Sequence, residues 1–221
     1  MTALPVVWLP ALLAVVIAAS PVLASWIATL ETGSAWRWWQ PRNVTPTLAL
    51  AVAALAIALT IPGIAAGAPW LAWTAFAVGG AVLMTVDERT HLLPARFLHP
   101  LTGVVGAILI ATACLTDGAS SLVRSAAAGV IVGLIWLAVA LVVPAAIGLG
   151  DVRLFALNAV LLGWLSWPAV LAGQLLTFLL APVAALAARA MGRTNRMDSG
   201  NVPMGPPAIV ATVLIGLILH T

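Results

Sequence analysis

Two acidic side chains stand where long apolar runs end, and their type and placement define the chemistry open to this chain. Asp87 closes one run and opens Asp87-Glu88-Arg89-Thr90-His91-Leu92-Leu93-Pro94. Asp151 follows another and completes Gly148-Leu149-Gly150-Asp151. An acid at the edge of hydrocarbon is costly, so its presence there already suggests a site. Two carboxylates brought within a few ångströms cannot both ionise cheaply, and at neutral pH they share one proton. Such a pair does acid and base work together: the ionised member takes a proton from water while the protonated member polarises a peptide carbonyl. Its titration belongs to the pair, not to either residue. Glycines at 148 and 150 would let an extended substrate backbone come close to Asp151. Read singly, each element has a plainer meaning: a lone aspartate at a helix end caps it or sits as an interface charge, and Gly-x-Gly makes a turn.

The elements that must position these groups are membrane helices. Of 221 residues, 63% are hydrophobic and only 7% charged, against roughly 25% charged in soluble domains. The reading is an all-α polytopic bundle, one membrane-embedded domain over 1–221. Apolar runs at 5–30, 46–61, 69–86, 98–116, 123–147, 153–166, 168–188 and 204–220 give about eight transmembrane helices. Pro62-Gly63, Ala68-Pro69, Asp117-Gly118, Gly148 to Asp151 and Trp167-Pro168 divide them. The break between 153–166 and 168–188 is the least marked. No basic residue precedes the first run, which reads as a retained span in preference to a cleaved leader. The segment 31–45 is then a short cytoplasmic loop, with Trp36, Trp38 and Trp39 as interface anchors.

Every basic residue is an arginine, and their placement tests the topology. With N- and C-termini outside, the cytoplasmic links hold Arg37, Arg42, Arg89, Arg96, Arg153, Arg189, Arg193 and Arg196, and the outer links only Arg124. That bias follows the positive-inside rule. It puts Asp87 and Asp151 on the same, cytoplasmic, side. The arginines are spread along the chain and form no patch for nucleic acid.

Other residues carry less. Cys114, the single cysteine, reads as a packed thiol, and neither a disulfide nor a cysteine-based zinc cluster can form within the chain. Gly79 and Gly80, and Gly129 and Gly133, read as points of close helix approach. Asn158 lies two helical turns after Asp151 and either orients substrate or, the reading we favour, bonds a neighbouring helix. His91, His99 and His220 read as interfacial, and Glu88 and Asp198 as solvated acids that would attract a basic peptide.

Taken together, three motifs resemble a known family. Asp87 with Leu92-Leu93-Pro94, then Gly148-Leu149-Gly150-Asp151 with Arg153 and Leu154, then Pro203-Met204-Gly205-Pro206 opening the last run, are similar to the type IV prepilin peptidases, membrane aspartyl proteases of the GxGD type. The resemblance covers most of residues 70–221. It implies cleavage of the short basic leader from prepilin or pseudopilin precursors at the cytoplasmic face of a prokaryotic cell membrane, next to the substrate's hydrophobic segment. Asp87 and Asp151 would be the catalytic pair, Gly148 and Gly150 would shape the active-site turn, and Pro203, Gly205 and Pro206 would support it. Arg153 stands where family members carry a basic residue, and it contacts substrate or anchors lipid phosphate. No cofactor is implied.

The departures narrow the expectation. Many relatives have a large cytoplasmic loop with paired cysteines that bind zinc, and many methylate the new pilin N-terminus. Here the loop is 31–45 and has no cysteine, so zinc is not expected and methyl transfer is doubtful. Ala95 replaces an acid common after Leu-Pro, and Met204 replaces phenylalanine. Two other readings compete: a proton-coupled transporter using both aspartates as relays, and a catalytically silent pilus-assembly membrane protein. The first expects ionisable groups near the midplane and paired half-repeats, neither of which the sequence carries.

Overall fold

A computed structural model describes residues 69–90, 93–143, 147–190 and 204–219. These form six helices: α1 Trp70–Thr90, α2 Ala95–Leu115, α3 Ala119–Val142, α4 Leu149–Leu165, α5 Trp167–Ala190 and α6 Gly205–Ile218. The chain is an all-α, polytopic integral membrane protein. Four of the six, α1, α2, α3 and α5, are long and apolar enough to cross a membrane.

The expectation of eight spans is therefore corrected. Among the described residues there are six helices and four of span length. The expected spans 153–166 and 204–220 correspond to α4 with 17 residues and α6 with 14. At 1.5 Å per residue they rise roughly 25 and 21 Å, less than the hydrocarbon thickness of about 30 Å. Both are packed among other helices, so their length is not dictated by lipid. The stretches 5–30, 31–45 and 46–61 lie outside the described residues, as do Leu92, His91, Asp198, Pro203 and His220.

Of the breaks read from the sequence, Asp117-Gly118, Gly148 to Asp151 and Trp167-Pro168 fall at helix boundaries. Pro94 caps α2 in an extended conformation, and Pro206 and Pro207 occupy the first turn of α6, where a missing N–H leaves no bond unmade. Ser166 is extended, with φ −171° and ψ 164°, and breaks the chain between α4 and α5. The two are thus separate helices. Consecutive helices run antiparallel, so the C-terminal ends of α1, α3 and α5 gather with the N-terminal ends of α2, α4 and α6.

Close approach at small residues sets the packing. Along α1, Trp73, Gly80 and Asp87 recur every seventh residue and meet Gly216, Ile209 and Gly205 of α6. A seven-residue repeat keeps one stripe of a helix against its neighbour. Gly79 faces Leu101 of α2, and Gly129 and Gly133 face Val160 and Ala156 of α4. Of the span window in α1, 72% is buried, against 22–28% in α2, α3 and α5. Those three present Val104, Ile110, Val130, Leu134, Leu175 and Leu179 outward, the surface expected toward lipid. Cys114 also faces outward from α2 and is free, so the expectation of a packed thiol does not hold.

The far end is closed by Arg124 near the start of α3. Its Nε donates to the Gly163 carbonyl at 2.6 Å, and its Nη2 to those of Trp164 at 2.6 Å and Leu165 at 3.1 Å. A cation on the last carbonyls of α4 satisfies groups that the helix leaves open and complements its dipole. Ser125 donates to Val160 O one turn further in. An aromatic cluster of Trp136, Phe155 and Phe178, with ring centroids 5.0–5.8 Å apart, joins α3, α4 and α5.

Candidate active site

Asp87 does not hang from the end of its helix. It lies inside α1, three residues before the end, and its side chain is 3% exposed. As the last member of the Trp73–Gly80–Asp87 stripe it points at α6. There the backbone N–H of Gly205 donates to Asp87 Oδ2 at 2.8 Å. That N–H is among those a helix start leaves without an internal partner, and the positive end of the helix dipole favours an anion beside it. A Cβ at residue 205 would lie 2.7 Å from Asp87 Oδ2 and 3.2 Å from its Cβ. Only glycine lets the carboxylate come this close.

Asp151 occupies the first turn of α4. Its Oδ2 accepts the Gly148 N–H at 3.2 Å, half of a capping box. The side chain is partly buried. That burial pushes its pKa above the ordinary aspartate value of 3.8, while the Gly148 N–H pulls the other way.

The two glycines of the motif act differently from the expectation of a turn open to substrate. Gly148 is the N-cap of α4, at φ −75° and ψ 150°, a conformation open to any residue. Gly150 is already helical, and a Cβ there would stand 2.7 Å from Leu93 Cβ and 2.9 Å from Leu93 O. Its lack of a side chain admits the Leu93-Pro94 backbone, not a free ligand. So the segment after Asp87 packs on the turn that carries Asp151, and the start of α6 packs on Asp87. The three motifs meet at one end of the bundle.

The remaining residues fall into two groups. Asn158 is 1% exposed, and its Nδ2 donates to Ala208 O of α6 at 3.1 Å. This is the helix-bonding role favoured from the sequence. Arg153 is half-buried beside Asp151, and Pro206 follows Gly205 in the first turn of α6. Glu88 sits next to Asp87 in the last turn of α1, Arg96 is exposed at the start of α2, and His99 is exposed one turn further along.

Sequence reasoning missed the Gly205 N–H as the partner of Asp87, although glycine at the first position of a helix was the available signal. It also missed Leu93 against Gly150, which has no local signature. Among the described residues no group of three or more His, Cys, Asp or Glu gathers as a metal site. Comparison with protein-family models, with curated proteins and with solved structures gave no match.

Proposed function

We propose that this protein is an aspartyl endopeptidase of the prepilin-peptidase type, which removes the basic leader from prepilin or pseudopilin precursors. Asp87 and Asp151 are its catalytic pair. The observation that carries the reading is the convergence of the three motifs: Asp87 on Gly205, and Leu93 on Gly150 beside Asp151. A carboxylate whose Oδ2 is held by a backbone N–H keeps a fixed direction, and a partly buried aspartate with a raised pKa stays protonated to higher pH than usual. In this mechanism one member takes a proton from water while its oxygen attacks the scissile carbonyl. The other donates to the carbonyl oxygen as it becomes tetrahedral, and the proton then passes to the leaving amine. Arg153, two residues after Asp151, and Glu88, next to Asp87 in sequence, are the proposed contacts for an incoming basic leader, while Asn158 bonds Ala208.

The active end faces the cytoplasm of a prokaryotic cell in this reading. The described helices carry Arg89, Arg96, Arg153 and Arg189 at that end, against Arg124 alone at the other, where its charge is held by three carbonyls.

The test is co-expression with a pilin-like precursor, following leader removal by mass. Wild type is expected to cut, and Asp87→Asn and Asp151→Asn to lose about 10³-fold or more. Cleavage that survives both substitutions sinks the pair. A precursor series left whole by wild type favours a silent assembly role.

A further inference from the structure

The two aspartates lie on helices joined by a short closed path. From Asp151, two turns of α4 lead to Asn158, whose Nδ2 donates to Ala208 O at 3.1 Å. From Ala208, one turn of α6 leads back to Gly205, whose N–H donates to Asp87 Oδ2 at 2.8 Å. Both helices start at the active end and run parallel, so the path sets their relative height. Asp151 stands roughly 10 Å above the Asn158 level and Gly205 roughly 4–5 Å above it. The offset between Asp151 and the N–H that holds Asp87 is thus about one helical turn.

Asn158 is an unusual residue to find there. Its Nδ2 has a partner, but among the described residues its buried Oδ1 has none. An unmatched buried acceptor is destabilising by about 1–3 kcal/mol. Nor does Ala208 O need this donor, because the Thr212 hydroxyl donates to it at 2.9 Å. Leucine at 158 would remove the unmatched oxygen and leave no group without a partner. Hydrogen-bond matching alone therefore gives asparagine no advantage at this position.

We infer that Asn158 is a positioning residue that fixes the axial register of α4 on α6, and through it the approach of Asp151 to Asp87. This rests on the peptidase reading for its catalytic consequence, but the register claim stands on geometry alone. The sequence suggests only that Asn158 bonds a neighbour; the structure identifies which neighbour, and how that neighbour holds the other aspartate.

The experiment uses the full chain in nanodiscs, with Cys114→Ser and spin labels on cysteines at Leu149 and Leu219. These residues are 53% and 51% exposed at the active end of α4 and the far end of α6. Along the axis they are roughly 30 Å apart, within range of pulsed dipolar measurement. The variants are Asn158→Leu, Asn158→Gln as a partial rescue that keeps the amide donor, and Thr212→Val. The last removes a hydroxyl that, among the described residues, bonds within its own helix.

Asn158→Leu is expected to broaden the distance distribution and to lower kcat on a pilin-like precursor about 100-fold, the scale of a 1 Å misplacement. KM and thermal stability should hold, Gln should recover part of the loss, and Thr212→Val should resemble the parent in both readouts. A distribution for Asn158→Leu that superimposes on the parent overturns the register role, whether or not any precursor is cut. Loss of stability with kcat unchanged overturns it as well, since that is an ordinary core bond. If wild type cleaves nothing, the peptidase reading fails while the spin-label distances still decide the register.

Discussion

The carboxylate of Asp87 fills the space that a side chain at Gly205 would need, and the two residues, 118 positions apart, share a 2.8 Å hydrogen bond. The glycine of the last motif thus seats the aspartate of the first.

Replacement of Gly205 by alanine tests that seating. The new Cβ would meet Asp87 Oδ2 at 2.7 Å, and α1 cannot retreat without opening the stripe at Gly80 and Trp73. Overpacking of this kind is expected to lower stability by about 1–3 kcal/mol. Precursor cleavage should fall at least 100-fold. Thermal unfolding in detergent and a cleavage assay measure the two effects, and an alanine variant with full activity would contradict the geometry.

The two glycines before Asp151 should separate cleanly. At Gly148 a Cβ would meet Asp151 Oδ2 at 3.2 Å and Gly150 N at 4.0 Å, and the backbone is already in an ordinary conformation. Gly148→Ala is expected to stay within about 0.5 kcal/mol of wild type. Gly150→Ala drives a methyl into the Leu93 backbone and is expected to lose about 1–3 kcal/mol together with most of the activity. Equal effects at both positions would mean that the motif acts as a turn after all.

Removing the Gly205 partner from Asp87 distinguishes charge from hydrogen bonding. Asp87→Asn keeps an oxygen to accept the Gly205 N–H and should fold with near-normal stability, without activity. Asp87→Ala leaves that N–H unmatched and should lose about a further 1–3 kcal/mol. Unfolding midpoints for the two variants measure the difference, and identical midpoints would show that the bond adds nothing.

Asp151 gives a pH signature with a definite sign. Its folded pKa is raised above 3.8 by burial, so between that value and its folded pKa the native state holds a proton that the unfolded chain has released. The stability this contributes is present below pH 3.8 and is lost as pH rises through the folded pKa. Asp151→Asn does not titrate. It should gain stability relative to wild type as pH rises from about 4 to 7, while losing cleavage at every pH. Parallel stability curves for the two proteins across that range would show that Asp151 is not desolvated.

Much of the fold was legible in local signals. Asp117-Gly118, Gly148 to Asp151 and Trp167-Pro168, read as breaks, all stand at helix boundaries, whereas Pro100 and Pro182 lie inside α2 and α5 without ending them. The gathering of Asp87 and Asp151 at one end followed from arginine placement, a rule about translocation that needs no contacts. What was not legible depends on partners far along the chain. Hydropathy reports that a run is apolar but not whether its neighbours are lipid or protein, so α4 and α6 read as spans when they are short helices within the bundle. Asp87 read as the residue that ends a run, although α1 continues through Thr90 because the carboxylate is matched by α6. The Gly150 contact with Leu93 likewise has no trace in its own neighbourhood, and for Asn158 the sequence pointed to a bond with another helix but not to Ala208 as the partner.

Arg124 bears on how such a bundle is made. Its three carbonyl partners lie 39 to 41 residues downstream, and at ordinary synthesis rates of 5–20 residues per second they emerge roughly 2–8 s later. For that interval the guanidinium, in the second turn of α3, is exposed but for the Ser121 hydroxyl in its own helix, to which its Nη2 donates at 3.2 Å. Arrival of the C-terminal end of α4 ends that exposure. Arg124 on α3 thus ties down the C-terminal end of α4, whose opposite end carries Asp151, through residues that all precede α6 in the chain.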